Sequence, residues 1–333
     1  MNFSEYLKNN IVYLDGGMGT LLQAQGLTPG EHPEKWNVSH PEIITDIHKN
    51  YFNSGSNVVC TNTFGANSLK FDETELEEII KSAISNAKKA RELSDTTHEK
   101  FIALDIGPTG KLLKPLGDLD FEDAVSVFSK AVKLGVKYGV DLVLIETMND
   151  SYETKAALLA VKENCDLPVL VSNAYNEDGK LMTGASPAAM VALLEGMGAT
   201  AIGANCSLGP KQLAKVAEEL LENASVPVIL KPNAGLPEIV DGKTKFNVTP
   251  EEFAEDVTKL IKKGLRVVGG CCGTTPDYIK ALTKKSKDLK PLEIENKNLT
   301  VVSSYTKAVK FLNSPILIGE RINPTGKKRF KQA

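Results

Sequence analysis

The 333-residue chain has no apolar run near the ~20 residues that a bilayer-spanning helix needs. Its start, MNFSEYLKNN, lacks the charged-then-apolar pattern of a secretory signal. Neither a membrane nor an export route is expected, and the predicted location is cytoplasmic. Cysteine is scarce: Cys60, Cys165, Cys206, Cys271 and Cys272. An odd, sparse set in a large chain argues against a disulfide framework. In a reducing compartment such thiols stay free, and a cluster of them points to metal or catalysis. Charge is nearly balanced, 39 basic against 42 acidic residues for a formal −3. The only basic runs are short, such as Lys284-Lys285 and Lys327-Lys328-Arg329, so no nucleic-acid partner is expected. No Gly-x-Gly-x-x-Gly follows the first apolar run, which weakens a nucleotide-binding reading.

What is present is alternation. Short, nearly continuous apolar runs occupy 11–15, 57–62, 101–105, 141–146, 169–173, 199–205, 226–230 and 266–271. They read as strands buried on both faces. Between them, 76–93, 121–138, 151–163, 187–197, 210–221 and 250–263 place apolar residues at helical spacing. Ser186-Pro187 and Thr249-Pro250 put a capping hydroxyl before a proline at the first helical position. Gly139, Gly198 and Gly264 follow helices as stop signals. Eight strand-then-helix repeats predict an α/β fold, a (β/α)8 TIM barrel, over a doubly wound open sheet.

In such barrels the loops after the strands carry the chemistry. The eight runs end in Asp15-Gly16-Gly17, Thr61-Asn62-Thr63, Asp105-Ile106-Gly107, Glu146-Thr147, Ser172-Asn173, Asn205-Cys206, Lys231-Pro232-Asn233 and Gly269-Gly270-Cys271-Cys272-Gly273. Three of the five cysteines thus fall at the ends of strands six and eight. Adjacent cysteines on a regular strand would point to opposite faces. Gly269, Gly270 and Gly273 open backbone angles that let both thiols turn to one point. Three converging thiolates suit zinc with an exchangeable fourth position, the catalytic arrangement. The four histidines, His32, His40, His48 and His98, all precede residue 100 and none ends a strand. Taken alone, the Gly-Gly-Cys-Cys-Gly segment also fits a tight turn with buried thiols or a vicinal disulfide. Cys60 and Cys165 read as ordinary core residues. Asp15 and Glu146 are acids on apolar strands, suited either to capping loop amides or to receiving a substrate amine. The amides of Gly16, Gly17 and Gly19 form a loop suited to an anion such as a carboxylate. An α-amino acid presents both groups.

Together these motifs resemble the homocysteine-binding domain of the cobalamin-dependent methionine synthase family. The resemblance rests on Asp15-Gly16-Gly17, Thr61-Asn62-Thr63-Phe64, Glu146-Thr147, Asn205-Cys206-Ser207 and Gly269-Gly270-Cys271-Cys272-Gly273, and spans about residues 10–276. It implies that Cys206, Cys271 and Cys272 bind zinc (Zn2+) and are the catalytic ligands. It implies that homocysteine enters as a zinc thiolate and takes a methyl group from methylcobalamin, recharged from 5-methyltetrahydrofolate, to give methionine. The expected substrate contacts are Asp15, Gly16, Gly17, Thr63, Glu146, Asn205 and Asn233. Betaine- and S-methylmethionine-homocysteine methyltransferases share the cysteine motifs and give an alternative donor. A non-catalytic zinc-stabilised scaffold is the alternative outside enzymes.

The tail distinguishes these relatives. Residues 284–300 are rich in Lys and Glu and read as a linker. The segment Ile318-Gly319-Glu320-Arg321-Ile322-Asn323-Pro324-Thr325-Gly326 resembles the opening of a folate-binding barrel. The expected division is a homocysteine-binding barrel over 1–285, then a linker and the start of a pterin- or folate-binding domain over 286–333. The expected partners are the cobalamin- and folate-binding modules of a larger enzyme.

Overall fold

A computed structural model describes residues 1–240, 243–311, 315 and 319. The strands in chain order begin with β1 (Val12–Tyr13), β2 (Val58–Cys60), β3 (Phe101–Ile106), β4 (Leu142–Met148), β5 (Val169–Asn173), β6 (Ala201–Asn205) and β7 (Val228–Lys231). A hairpin, β8 (Pro237–Val240) and β9 (Lys243–Phe246), then precedes β10 (Val267–Val268). Eight of these pair in parallel in the order β1-β10-β7-β6-β5-β4-β3-β2. Leu14 bridges Val58, and the Asn57 N–H donates to the Tyr13 carbonyl at 2.6 Å, so the first and last strands of that order meet. The result is a nearly closed barrel of the TIM type, as the alternation predicts.

The apolar runs are continuous because each strand is buried on both sides. One set faces inward: Val12 and Leu14, Val58 and Cys60, Phe101 and Ala103, Leu142 and Leu144, then Leu170, Ala201, Ile229 and Val267. The alternate set, including Val59, Ile102, Leu104, Val143, Ile145, Val171, Ile202 and Leu230, packs with residues of the surrounding helices. Helix α1 (Phe3–Asn9) contributes Phe3 and Leu7 to the inner cluster and so closes the N-terminal end of the barrel.

The helices in chain order are α1, α2 (Met18–Ala24), α3 (Trp36–Ser39), α4 (Pro41–Asn53), α5 (Glu73–Leu93), α6 (Phe121–Tyr138), α7 (Ser151–Asn164), α8 (Pro187–Gly196), α9 (Pro210–Asn223), α10 (Pro250–Ile261) and α11 (Pro276–Ser286). Their ends follow the expected local chemistry. Ser186 accepts from the Ala189 N–H, and Thr249 with Glu252 forms a reciprocal capping box; each such cap contributes about 1 kcal/mol. Gly139 closes α6 in the left-handed region, with φ 77°.

Several elements go beyond the periodic reading. Helices α1, α2, α3, α4 and α11 lie outside the six helical stretches read above, although α4 carries Ile44, Ile47, Tyr51 and Phe52 at helical spacing. The pair β8–β9 and a second hairpin, β11 (Thr300–Ser303) with β12 (Ala308–Phe311), were not expected either. The second hairpin docks on the barrel. The Tyr305 hydroxyl donates to Asp150 Oδ1 at 2.7 Å, Ser151 Oγ donates to the Tyr305 carbonyl, and the Ser186 N–H donates to the Thr306 carbonyl. The segment expected to open a further module, 318–326, lies outside the described residues except for Gly319. Among the described residues, no helix is long and apolar enough to cross a membrane.

Candidate active site

The inward register that fills the barrel with aliphatic side chains turns polar at its C-terminal end. Two residues beyond Ala103 is Asp105; beyond Leu144, Glu146; beyond Leu170, Ser172; beyond Ile229, Lys231. Asn205 continues the same register of β6 from Ala201. Strand geometry aims these groups at one mouth. There a cavity of about 390 Å³ is lined by Asp15, Asp105, Glu146, Lys231, Cys206, Cys271 and Cys272, among others.

Cys206 directly follows β6, and Cys271 and Cys272 follow β10. Their sulfur atoms all lie within 4.8 Å of one another, with Cys206 Sγ and Cys272 Sγ 3.8 Å apart. A tetrahedral ion with Zn–S bonds of about 2.3 Å requires sulfurs about 3.8 Å apart, so the donor set fits zinc. No other group of three or more His, Cys, Asp or Glu side chains meets the same spacing among the described residues. Without a cation the thiols hold their protons. The Cys271 thiol stands well above its ordinary range, first through its contact with Cys206 and then through burial. For Cys206 the contact with Cys271 lowers the pKa, but the contact with Cys272 and burial outweigh it, to about 11. For Cys272 the contact with Cys206 lowers it, while Cys271 and burial carry it to about 12. A bound cation reverses this order by stabilising thiolates.

The backbone is shaped to bring the sulfurs together. Cys206 and Ser207 are both left-handed, with φ 59° and 58°; such residues cost on the order of 1–3 kcal/mol each and persist only where neighbours hold them. Here the Cys206 N–H donates to the Lys231 carbonyl at 3.0 Å and the Cys271 N–H to the Pro232 carbonyl at 2.9 Å. Of the three glycines expected to supply unusual angles, only Gly273 does, with φ 78°. Gly270 serves by smallness: a Cβ there would collide with the Thr274 side chain.

The expected substrate residues divide into two groups. Asp15, Gly16, Gly17 and Glu146 line the cavity. Thr63, Asn205 and Asn233 stand behind it. Thr63 Oγ1 donates to the Asp105 carbonyl at 2.8 Å. Asn233 Oδ1 accepts from the Cys272 N–H at 3.1 Å. Asn205 clamps Thr147 at both ends, accepting its N–H at 2.8 Å and donating to its hydroxyl at 2.7 Å, and its Nδ2 lies 3.9 Å from Cys271 Sγ. Thr147, β-branched yet at φ 60°, sits where the β4–β5 register shifts. The bulge and clamp together fix the backbone beside Glu146. The Gly17 N–H, expected to be open to an anion, is taken by Thr274. Tyr51, whose hydroxyl donates to the Gly17 and Thr274 carbonyls, ties the same loop down.

Lys231 and Asp105 were missed as site residues. Lys231 is 2% exposed, with Nζ 2.6 Å from Glu146 Oε2, 3.8 Å from Asp15 Oδ1 and 3.7 Å from Cys60 Sγ. Glu146 is therefore already ion-paired within the protein. Asp15 Oδ2 accepts from the Cys60 N–H at 2.7 Å, and burial pushes its carboxyl up to about 6 against the pull of Lys231. Burial, then Glu146, holds the Asp105 carboxyl well above the usual carboxylate range. Cys60, read as an ordinary core residue, is in the inner cluster but also reaches the cavity beside Lys231. Cys165 lies half-buried near the end of α7. The signal for Asp105 and Lys231 was parity: both continue the inward register of their strands.

An eight-stranded parallel barrel with thiols and carboxylates gathered at its C-terminal mouth defines a TIM-barrel enzyme with its site on the strand ends. The sequence matches the homocysteine S-methyltransferase family over residues 12–286, and the chain belongs to that family of methyltransferases. Methionine synthases of Mycobacterium tuberculosis and Mycobacterium leprae are 31% and 30% identical to it, across 99% of this chain. The chain spans about 29% of the length of each of these relatives. A solved homocysteine methyltransferase from Escherichia coli, in a metallated form, shares the fold with a TM-score of 0.72 at 24% identity, over 84% of this chain and 97% of that one.

Proposed function

We propose that this chain is the homocysteine-activating module of a methionine synthase, over residues 1–285, with 286–333 leading into a folate-binding module. The observation that carries the reading is the convergence of Cys206, Cys271 and Cys272 beside an acid-lined cavity. In this reading the three thiols hold zinc. When bound, zinc supplies the positive charge that strips the proton from an incoming thiol, whose ordinary pKa near about 8.5 leaves it mostly protonated at neutral pH.

The remaining tasks fall to the chain. Asn205 Nδ2 supports the Cys271 sulfur from behind, as outer partners of metal ligands do. Asp15, on the cavity wall, takes the substrate ammonium, and Glu146 shapes the same wall while paired to Lys231. Gly16 and Gly17 form the wall nearest the carboxylate. Thr63 and Asn233 act through Asp105 and Cys272, holding backbone in place. The methyl group then comes from methylcobalamin, itself recharged from 5-methyltetrahydrofolate, both carried by modules outside this chain. The length of the methionine synthase relatives supports such modules. The Escherichia coli structure, almost fully covered by one barrel, favours a second reading in which the barrel works alone with a betaine or S-methylmethionine donor.

The test is zinc analysis with X-ray absorption at the zinc edge. The expected results are stoichiometric zinc and one added sulfur neighbour on homocysteine binding, with zinc lost in Cys271→Ala. A Cys271→Ala protein with full zinc and full activity would sink the assignment, as would an unchanged sulfur shell. Methyl-transfer assays with methylcobalamin, betaine and S-methylmethionine separate the two donors.

A further inference from the structure

We infer that Tyr305, on the turn of the β11–β12 hairpin, is a positioning residue for the homocysteine site. Through Asp150 it holds the bulge that carries Glu146 and Thr147 on the cavity wall. The segment after the barrel then supports the site as well as leading away from it. The inference rests on the homocysteine reading above and adds to it a residue from outside the barrel.

Strand β4 leaves its register with β5 between Ile145 and Met148, and the two residues inside that irregularity, Glu146 and Thr147, both line the cavity. A β-branched residue at φ 60°, as Thr147 is, persists only where its surroundings hold it. Three clamps act on this stretch. Asn205 of β6 takes Thr147 at both ends. The Met148 carbonyl accepts the Ala174 N–H at 3.0 Å and Asn173 Nδ2 of β5 at 3.3 Å. The third is at Asp150, whose Oδ1 accepts the Tyr305 hydroxyl at 2.7 Å, the Tyr152 N–H at 3.0 Å and Thr183 Oγ1 at 3.2 Å. The first two clamps come from neighbouring strands. The shortest contact of the third comes from 155 positions further along the chain. Asp150 is also tied inward. Thr154 Oγ1 donates to its carbonyl at 2.6 Å and accepts Asn173 Nδ2 at 2.9 Å, the same amide that reaches Met148. Hydrogen bonds therefore run without a break from Tyr305 to the bulge.

The hairpin is built to present that hydroxyl. The Ser304 N–H donates to the Lys307 carbonyl at 2.8 Å and leaves Tyr305 and Thr306 at the tip. The tip sits on the first residues of two helices, whose N-caps are Asp150 for α7 and Ser186 for α8. Ser151 Oγ donates to the Tyr305 carbonyl at 2.9 Å, and the Ser186 N–H donates to the Thr306 carbonyl at 3.1 Å. The Tyr305 ring meets Tyr152 edge-on, with centroids 6.3 Å apart. These backbone and ring contacts dock the tip without the hydroxyl. Tyr305→Phe thus leaves the hairpin in place and removes only its tie to Asp150.

The test compares Tyr305→Phe with wild type as zinc-loaded full chains, by calorimetric titration with L-homocysteine and by the backbone amide resonance of Thr147 in nitrogen-labelled protein. Tyr305→Phe should weaken homocysteine about 5-fold, the worth of one net hydrogen bond, with zinc content unchanged. It should also move the Thr147 resonance, although the aromatic ring and its local field are kept. Val301→Ala, in β11 and away from the tip, should do neither. An unmoved Thr147 resonance in Tyr305→Phe, or homocysteine affinity equal to wild type, overturns the inference. So does a Val301→Ala chain that matches Tyr305→Phe in both readouts, because the hairpin would then act through its stability alone. A wild-type chain that binds no homocysteine removes the homocysteine reading instead, and the Thr147 resonance still decides whether Tyr305 holds the bulge.

Discussion

Lys231 illustrates how much a single side chain decides at this site. A lysine at the end of a strand reads as a surface residue, yet here the ammonium is buried between Glu146 and Asp15. Desolvation opposes its charge, but Cys60, Glu146 and Asp15 outweigh that and hold it firmly protonated. Removing one partner of a buried pair costs about 3–5 kcal/mol because the other charge is stranded. Lys231→Met should therefore lower unfolding stability in urea by that order, and adding Glu146→Leu should recover most of the loss. A Lys231→Met protein as stable as wild type would show that the pair carries no such weight. The three site cysteines were legible at this scale, because residue type and strand-end position together restrict what thiols can do. Their geometry was only partly so. Gly269, Gly270 and Gly273 look equivalent in sequence, yet one supplies a left-handed angle and another supplies room.

At the scale of elements, the two turns that carry the thiols are built differently. The turn after β6 places non-glycine residues, Cys206 and Ser207, at positive φ. The turn after β10 passes that demand to Gly273, packed against the Phe246 ring of the β8–β9 hairpin. Gly273→Ala should thus meet both an unfavourable backbone and a collision. The backbone part alone is worth about 1–2 kcal/mol. We expect lower thermal stability and a reduced zinc affinity, read by competition with a chromophoric chelator; unchanged affinity would mean that the Cys271–Cys272 turn does not depend on this glycine. Neither hairpin shows in the periodic pattern, since short two-stranded ribbons have little apolar signal of their own and depend on what they pack against. The β11–β12 hairpin is held by Tyr305 on Asp150 and by Ser151 and Ser186 at the starts of α7 and α8, contacts that no local window reveals.

For the whole molecule, the zinc reading couples the site to folding. Strands β6 and β10 are separated in the barrel by β7 alone, yet Cys206 and Cys271 are 65 positions apart in the chain. A ligand that binds only the folded state stabilises it by about 2.7 kcal/mol at 100 times its Kd. For a chain of this size, with an unfolding entropy of about 2.1 cal/mol/K per residue, that corresponds to roughly 1–2 °C per kcal/mol, a Tm rise of about 4 °C. Calorimetric scans should show that rise with zinc and lose it with a chelator, while Cys206→Ser should respond to neither. Equal zinc shifts in wild type and Cys206→Ser would separate the metal from this cluster. The barrel itself followed from sequence alone, because eight runs buried on both faces with helices between them leave few other ways to hide apolar surface. The presence of thiols and acids at strand ends followed from the same pattern. Which carboxylates Lys231 engages and which asparagines stand behind the sulfurs rather than in the cavity were decided only by the closed barrel. Those outcomes depend on hydrogen bonds and ion pairs between side chains tens of residues apart, and such pairings leave no periodic trace along the chain.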